Sequence, residues 1–392
     1  MYTRHLTREL VALGHEVEVF AGQPWPVLDP GVGLTQVPSL DLYREPDPFR
    51  IPRLAEFRDW IDLAEFALMT TAGFPEPLTF SLRARRMLRR RRADFDLIHD
   101  NQSLGRGLLG MMDDGWPVLS TVHHPITVDR RLDLDHAKDW KRRLTLRRWY
   151  GFVGMQINVA RQLPKVLTVS ASSAQDLATE MGIRPEKMSV VHVGVDAEAF
   201  RPIGGPRQRG LIVTTASADV PLKGLVPLLE ALAKLRTENP DAHLEIVGKP
   251  REDSRANETI ERLGLEGAVR FLGRVEPHEI VELYARAEVA AIPSLYEGFS
   301  LPAVEAMACG VPVVATTGGA LPEVVGDDGK AGLLVAPNDP SALAAALERV
   351  LSDADLRTRM GAAGRERAVS RFTWQATARG TAEQYLELLA SC

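Results

Sequence analysis

Short apolar stretches alternate with helix-length segments along this chain, and the alternation runs twice. "KVLTVS" at 165–170 leads into "ASSAQDLATEMG". After the Pro- and Gly-rich "FRPIGGPRQRG" at 200–210 the series restarts, with strand-like "LIVTTAS", "HLEIVG", "AVRFLG", "VAAIPS" and "VPVVATT" separated by helical "GLVPLLEALAKLRTEN", "HEIVELYARA" and "LPAVEAMACG". Short apolar strands joined by helices bury both sheet faces and run parallel, the pattern of a doubly wound α/β fold. A single core usually stops growing before 392 residues, so two such units are predicted.

The boundaries follow. Residues 1–195 form a first Rossmann-like domain, 196–372 a second, and 373–392 an amphipathic helix expected to return toward the first. The first domain opens on a helix, "YTRHLTRELVALG", with Gly14 as its C-cap, and then strand "EVEVF". Chains of this type normally begin with a strand, so the first sheet is expected to lack its first member. Residues 21–80 are rich in turn formers around one amphipathic stretch at 54–69. "DFDLIH", ending at His99, "PVLSTVHH" and "MSVVHVGVD" read as further strands.

Composition narrows the class. With 45% hydrophobic and 25% charged residues and a net charge of −5, neither disorder nor a general nucleic-acid binder is indicated. No apolar run approaches the roughly 18 residues of a membrane span, and no signal peptide opens the chain. Cys309 and Cys392, the two cysteines, cannot assemble a cysteine metal site, and a cytoplasmic protein is expected. Basic residues gather in "RARRMLRRRR" at 83–92 and in the basic-aromatic stretch Arg130 to Phe152. The latter has the composition of a helix lying on a membrane surface, at the inner face, and equally of a solvated helix whose arginines pair with Asp133, Asp135 and Asp139.

Function concentrates in "SLYEGFSLPAVEAMACG", from Ser294 to Gly310. A strand ends at Ser294, a loop carries Glu297 and Gly298, and a helix starts near Pro302, a residue suited to a first helical turn. Open sheets of this class bind ligands at the carboxyl ends of their strands, and a helix N-terminus favours an anion such as a pyrophosphate. Gly298 permits close backbone approach. An ionised carboxylate accepts from two neighbouring hydroxyls, so Glu297 suits a sugar and Glu305, a turn inside the helix, a ribose.

The segment resembles the E-x7-E motif of glycosyltransferase family 4, retaining enzymes of the GT-B fold in which two Rossmann-like domains face a cleft and a nucleotide sugar is the donor. "LKGL", "VRFLG" and "VGVDAEAF" occur in the family's order, and the likeness is looser before about Lys165. It implies that Glu297 binds the transferred sugar and Glu305 the ribose, that Lys223 neutralises the diphosphate, and that backbone at Phe299, Ser300 and Leu301 holds phosphate and sugar. It further implies that backbone at Arg270, Phe271 and Leu272 meets the base, with Gly248 and Ser217 also at the donor, and that His123 in "STVHHP" approaches the transferred sugar. His123, Glu297 and Lys223 are the candidate catalytic residues. The leaving phosphate oxygen would take the acceptor proton, so no metal or cofactor is expected. The acceptor would be a hydroxyl of a glycan, a lipid or a small molecule.

Departures keep alternatives open. Where the family usually has an arginine before the lysine, this chain has Ser217 or Ala218; "PNGVD" is "HVGVD" at 192–196, and "GFG" is "GFS" at 298–300. A nucleotide-sugar epimerase of the same architecture and an N-terminally incomplete, non-catalytic relative remain as second and third readings. Asp94 and Asp96, and Asp133 and Asp135, have the D-x-D spacing of metal-binding transferases, but the first pair runs into a strand and the second lies among arginines. His99 and His192 read as structural.

Overall fold

The computed structural model describes residues 2–135, 137, 139–215, 221–249 and 254–391. Ser217 and Ala218 lie outside these described residues. Packing divides the chain into Met1–Val191 together with Thr377–Cys392, and His192–Ala376.

The first unit contains β1 (Glu18–Ala21), β2 (Gly33–Gln36), β3 (Ile98–Asn101), β4 (Val118–Val122), β5 (Lys165–Thr168) and β6 (Met188–Val190). All pair in parallel, but in two sheets, β1-β2 and β3-β4-β5-β6. The central β4 is buried along its whole length, and Leu108, Met111, Trp116 and Val166 join it in the core. β3 runs two residues beyond His99, because Asn101 still pairs with Thr121 of β4; the strand read as ending at His99 is longer by that margin.

Ion pairs explain the arginine-rich stretch. Asp59 caps helix Trp60–Thr70 by accepting from the Ile61 and Asp62 amides. Arg83, on helix Glu76–Leu88, reaches the buried carboxylates of Asp62 and Glu65. Arg85 pairs with Asp114 at 2.8 Å, Arg86 with Asp59, and Arg91 with Glu18 and Asp94. A run that looks like a cationic patch is largely consumed inside the fold.

The basic-aromatic stretch is three helices, Ile126–Asp135, Trp140–Trp149 and Phe152–Gln162, separated where Asp139 caps the second and Gly151 precedes the third. Among the described residues its arginines pair elsewhere: Arg131 meets Glu180 at 2.5 Å and Arg148 donates to Thr71 Oγ1, while Asp133 accepts from the Tyr150 hydroxyl. Among the described residues no helix is long and apolar enough to cross a membrane.

The second unit is one six-stranded parallel sheet: β7 (Leu211–Thr215), β8 (His243–Val247), β9 (Val269–Gly273), β10 (Val289–Ile292), β11 (Val313–Thr316) and β12 (Gly332–Val335), in the order β12-β11-β10-β7-β8-β9. Leu228, Leu229 and Leu232 of helix Leu225–Leu235 and Leu347 and Val350 of helix Pro340–Ser352 cover one face. Helix Leu301–Ala308 covers the other with Ala303, Val304 and Met307. The chain leaves β7 toward β9 on one side and returns at β10 on the other, so the order reverses between β7 and β10, the crevice where this class places ligands.

The last helix, Trp374–Ala390, begins in the second unit and ends in the first. There Tyr385 OH lies 2.7 Å from His99 Nδ1, Lys165 donates to Glu387 at 2.6 Å, and Leu388 packs on Leu119 and Leu167.

Candidate active site

The second unit assembles its polar residues at the β7–β10 switch point. Glu297, on the loop after β10, is 7% exposed. Its Oε1 accepts from Ser294 Oγ at 2.6 Å, and Lys223 Nζ lies 2.9 Å from Oε1 and 3.1 Å from Oε2. Lys223 ends the short turn Pro221–Lys223 after β7. The two residues are 74 positions apart in sequence and meet because their strands are neighbours.

Backbone stitches hold the loops in register. The Leu295 amide donates to Leu222 O at 2.7 Å and the Ala320 amide to Glu297 O at 2.8 Å. Gly224 adopts φ +66°, and a Cβ there would lie 1.9 Å from Pro293 O; Gly319, at φ +62°, would place one 2.2 Å from Glu297 O. Only glycine fits both requirements.

Helix Leu301–Ala308 starts beside this pair with Pro302 in its first turn and no side-chain cap from Ser300. Ser300 Oγ is buried with no hydrogen-bond partner among the described residues. A helix start with an orphan hydroxyl and uncapped amides offers donors to an anion. The Phe299 ring turns away into an aromatic cluster, 6.1 Å from His192 and 5.7 Å from Phe372, which leaves its backbone for a ligand. The Glu305 side chain makes no hydrogen bond or ion pair among the described residues, and burial pushes its carboxyl up to about 7. Tyr284, whose hydroxyl donates to Pro302 O at 3.2 Å, and Cys309 are its titratable neighbours, and burial raises both.

The remaining predicted donor contacts lie at β8 and β9. Gly248 and Gly273 exchange backbone hydrogen bonds of 3.0 and 3.2 Å. Among the described residues β9 is an edge strand, so the main chain of Arg270, Phe271 and Leu272 has one side without a strand partner there. The Arg270 side chain points to Glu245, 3.5 Å away, in keeping with a backbone role.

His123 belongs to the first unit, at the end of β4. Burial, helped by the neighbouring His124, pushes its imidazole down to about 4, and the Tyr2 ring stands edge-on to it at 4.5 Å. The adjacent histidine is different: His124 turns to Asp129 at 2.9 Å and is half exposed. His99 is held between Tyr385 and Thr121, both at 2.7 Å, and burial lowers it to about 4. His192 meets Glu323 of "GGALPE" at 2.7 Å. Of the D-x-D residues, Asp94 is taken by Arg91 and Asp133 by Tyr150; among the described residues no group of three His, Cys, Asp or Glu side chains could hold a metal ion.

Sequence reasoning overlooked Ser294, Gly224 and Gly319. Each adjoins a motif already singled out, but their roles depend on approaches between loops, which no local pattern encodes.

This architecture defines a GT-B glycosyltransferase. The chain belongs to that family: residues 1–199 match the model described as Glycosyltransferase Family 4 and residues 196–367 the one described as Glycosyl transferases group 1. It is 54% identical over 391 residues, 100% of this chain and 94% of the other, to the MMP alpha-(1->4)-mannosyltransferase of Mycolicibacterium hassiacum. It is 31% identical over 324 residues to the D-inositol 3-phosphate glycosyltransferase of Corynebacterium glutamicum, covering 77% of this chain and 75% of that one. Among solved structures, sucrose-phosphate synthase from Thermosynechococcus elongatus superposes with a TM-score of 0.72 at 24% identity, covering 100% and 93% of the two chains. Anabaena HepE, in complex with UDP and glucose, gives 0.67 at 19% identity, covering 97% and 95%. The chain is therefore a glycosyltransferase enzyme, and the epimerase reading finds no support in these relatives.

Proposed function

We propose that this enzyme is a retaining α-(1→4)-mannosyltransferase that moves mannose from a nucleotide diphosphate sugar to a hydroxyl of a mannoside glycan. The sugar and linkage rest on the 54% likeness along the whole chain to an enzyme of that description. The geometry that carries a nucleotide-sugar donor is the Lys223–Glu297 pair at 2.9 Å beside the start of helix Leu301–Ala308. In the bound state Lys223 turns to the diphosphate, Glu297 to the sugar and Glu305 to the ribose hydroxyls. The main chain of Phe299, Ser300 and Leu301 serves phosphate and sugar, Gly248 lets the donor approach β8, and Arg270 to Leu272 contact the base. His123, in the first unit, is the remaining candidate catalytic residue. Departure of the diphosphate builds negative charge on its oxygens. Preorganised donors aimed at such charge are worth about 10²–10³ in turnover each. Lys223 and the helix start are those donors, and no resident metal is required of them. Attack on the same face that the leaving group vacates keeps the α configuration.

The test is incubation of the purified chain with GDP- and UDP-linked mannose and glucose and a short mannoside, with linkage and anomeric form read by NMR. An α-(1→4) mannosyl product formed equally with and without chelator is expected. An inverted product, transfer of glucose only, or chelator-sensitive turnover would overturn the corresponding part. A cytoplasmic site of action belongs to the same reading, supported by a nucleotide-sugar donor. Contact of the Arg130–Phe152 stretch with an anionic bilayer has one supporting observation, the exposed Trp140 and Leu144 among its cations; vesicle co-sedimentation tests it.

A further inference from the structure

His123 is gripped from the end of β3 by two consecutive amide side chains. Its Nε2 lies 2.9 Å from Asn101 Oδ1, and Asn101 Nδ2 donates to Thr3 Oγ1 at 3.1 Å. In this amide orientation the carbonyl oxygen accepts, which assigns the proton to Nε2. The next residue fixes the main chain: the His123 amide donates to Gln102 Oε1 at 2.7 Å, and Gln102 Nε2 donates to His124 O at 2.8 Å. One side-chain amide thus spans a backbone donor and a backbone acceptor, in place of the ladder that has ended at Asn101.

Gln102 holds this position at φ +57°, in the left-handed region that non-glycine residues seldom occupy and that clusters at functional sites. Nδ1 of His123 makes no hydrogen bond among the described residues. With the ring neutral near pH 7, that nitrogen holds a lone pair.

We propose that Asn101 and Gln102 are positioning residues that lock His123 as its Nε2–H tautomer, so that Nδ1 faces a substrate hydroxyl as a hydrogen-bond acceptor. The proposal deepens the transferase reading and rests on His123 acting in it. His123 then orients a hydroxyl through its proton, and an analogue with that hydroxyl replaced by fluorine or hydrogen is disfavoured.

The test has one arm independent of catalysis. In the [15N]histidine-labelled chain, with His123 assigned by its loss in His123→Gln, long-range 1H–15N spectra report which ring nitrogen is protonated. Nε2–H is expected in the wild type and in Asn101→Asp, which keeps an acceptor oxygen, and a mixture in Asn101→Ala. An Nδ1–H wild type overturns the proposal. In the kinetic arm, Asn101→Ala is expected to lower kcat about five- to tenfold, the scale of one lost hydrogen bond, with donor KM little changed, rescue by Asn101→Asp, and no further loss in the His123→Gln background. An equal loss in that background shows Asn101 acting elsewhere and overturns it. If His123→Gln itself turns over normally while the spectra show Nε2–H, the functional reading of His123 fails and the tautomer lock stands.

Discussion

Lys223 Nζ lies 2.9 Å from Glu297 Oε1, an ammonium and a carboxylate carried by the segments that follow two adjacent strands and neutralising each other. In the proposed donor complex a diphosphate competes for the ammonium, and a sugar hydroxyl then occupies the carboxylate. Lys223→Met is expected to reduce kcat/KM by about 10²–10³, the scale for removing one preorganised charge donor. Glu297→Gln is expected to lower kcat with donor affinity within a few-fold of wild type. Steady-state kinetics and titration calorimetry check both, and a Glu297→Gln enzyme of normal turnover would remove that residue from the mechanism.

In the proposed donor site Glu305 introduces a pH dependence. Its folded carboxyl is raised to about 7 from 4.5, so it binds a proton in the folded chain that the unfolded chain releases earlier. Its contribution to stability is present below about pH 4.5 and is lost as pH rises through about 7. Donor hydroxyls prefer the ionised form, so donor binding strengthens across the same rise. Glu305→Gln is expected to bind donor more weakly above pH 7 and to flatten the profile; calorimetry from pH 5.5 to 8.5 with the nucleotide sugar reads it out. A wild-type affinity that does not vary with pH would contradict this assignment.

Gly224→Ala places a Cβ 1.9 Å from Pro293 O at φ +66°. The Lys223 loop must then shift off the β10 end. A loss of about 1–3 kcal/mol is expected for such backbone strain, and donor affinity falls with it. Thermal unfolding with and without donor separates the two effects.

Arg83 is buried against Asp62 and Glu65. Arg83→Ala leaves the buried Glu65 without an ion-pair partner and Asp62 with Arg58 alone, and is expected to cost about 3–5 kcal/mol. The exposed Arg90 side chain makes no ion pair or hydrogen bond among the described residues, and Arg90→Ala should stay within about 0.5 kcal/mol. Denaturant titration of both variants distinguishes a structural arginine helix from a cationic binding face.

Much of this was legible in the residues. The doubly wound sheet of the second unit follows from strands such as "VAAIPS" and "VPVVATT", whose apolar runs must be buried on both faces. The acidic pair and the helix start follow from "EGFSLPAVE", because turn, proline and carboxylates act within a few residues of one another. The arginine stretch was less legible: Asp59, Asp62, Glu65 and Asp114 lie 18 to 29 positions from their arginines and Glu18 lies 73 from Arg91, and charge counted along a chain cannot show where it is neutralised.

Local sequence determined the elements, their parallel pairing and the residue types at the donor site, since propensity, burial period and helix-end chemistry act over short range. Tertiary structure alone decided that Lys223 closes on Glu297, that Gly224 and Gly319 pin the loops, and that Asn101 and Gln102 grip His123. Those relationships join residues that meet only where neighbouring strands end together, and strand order is set by the packing of the whole sheet.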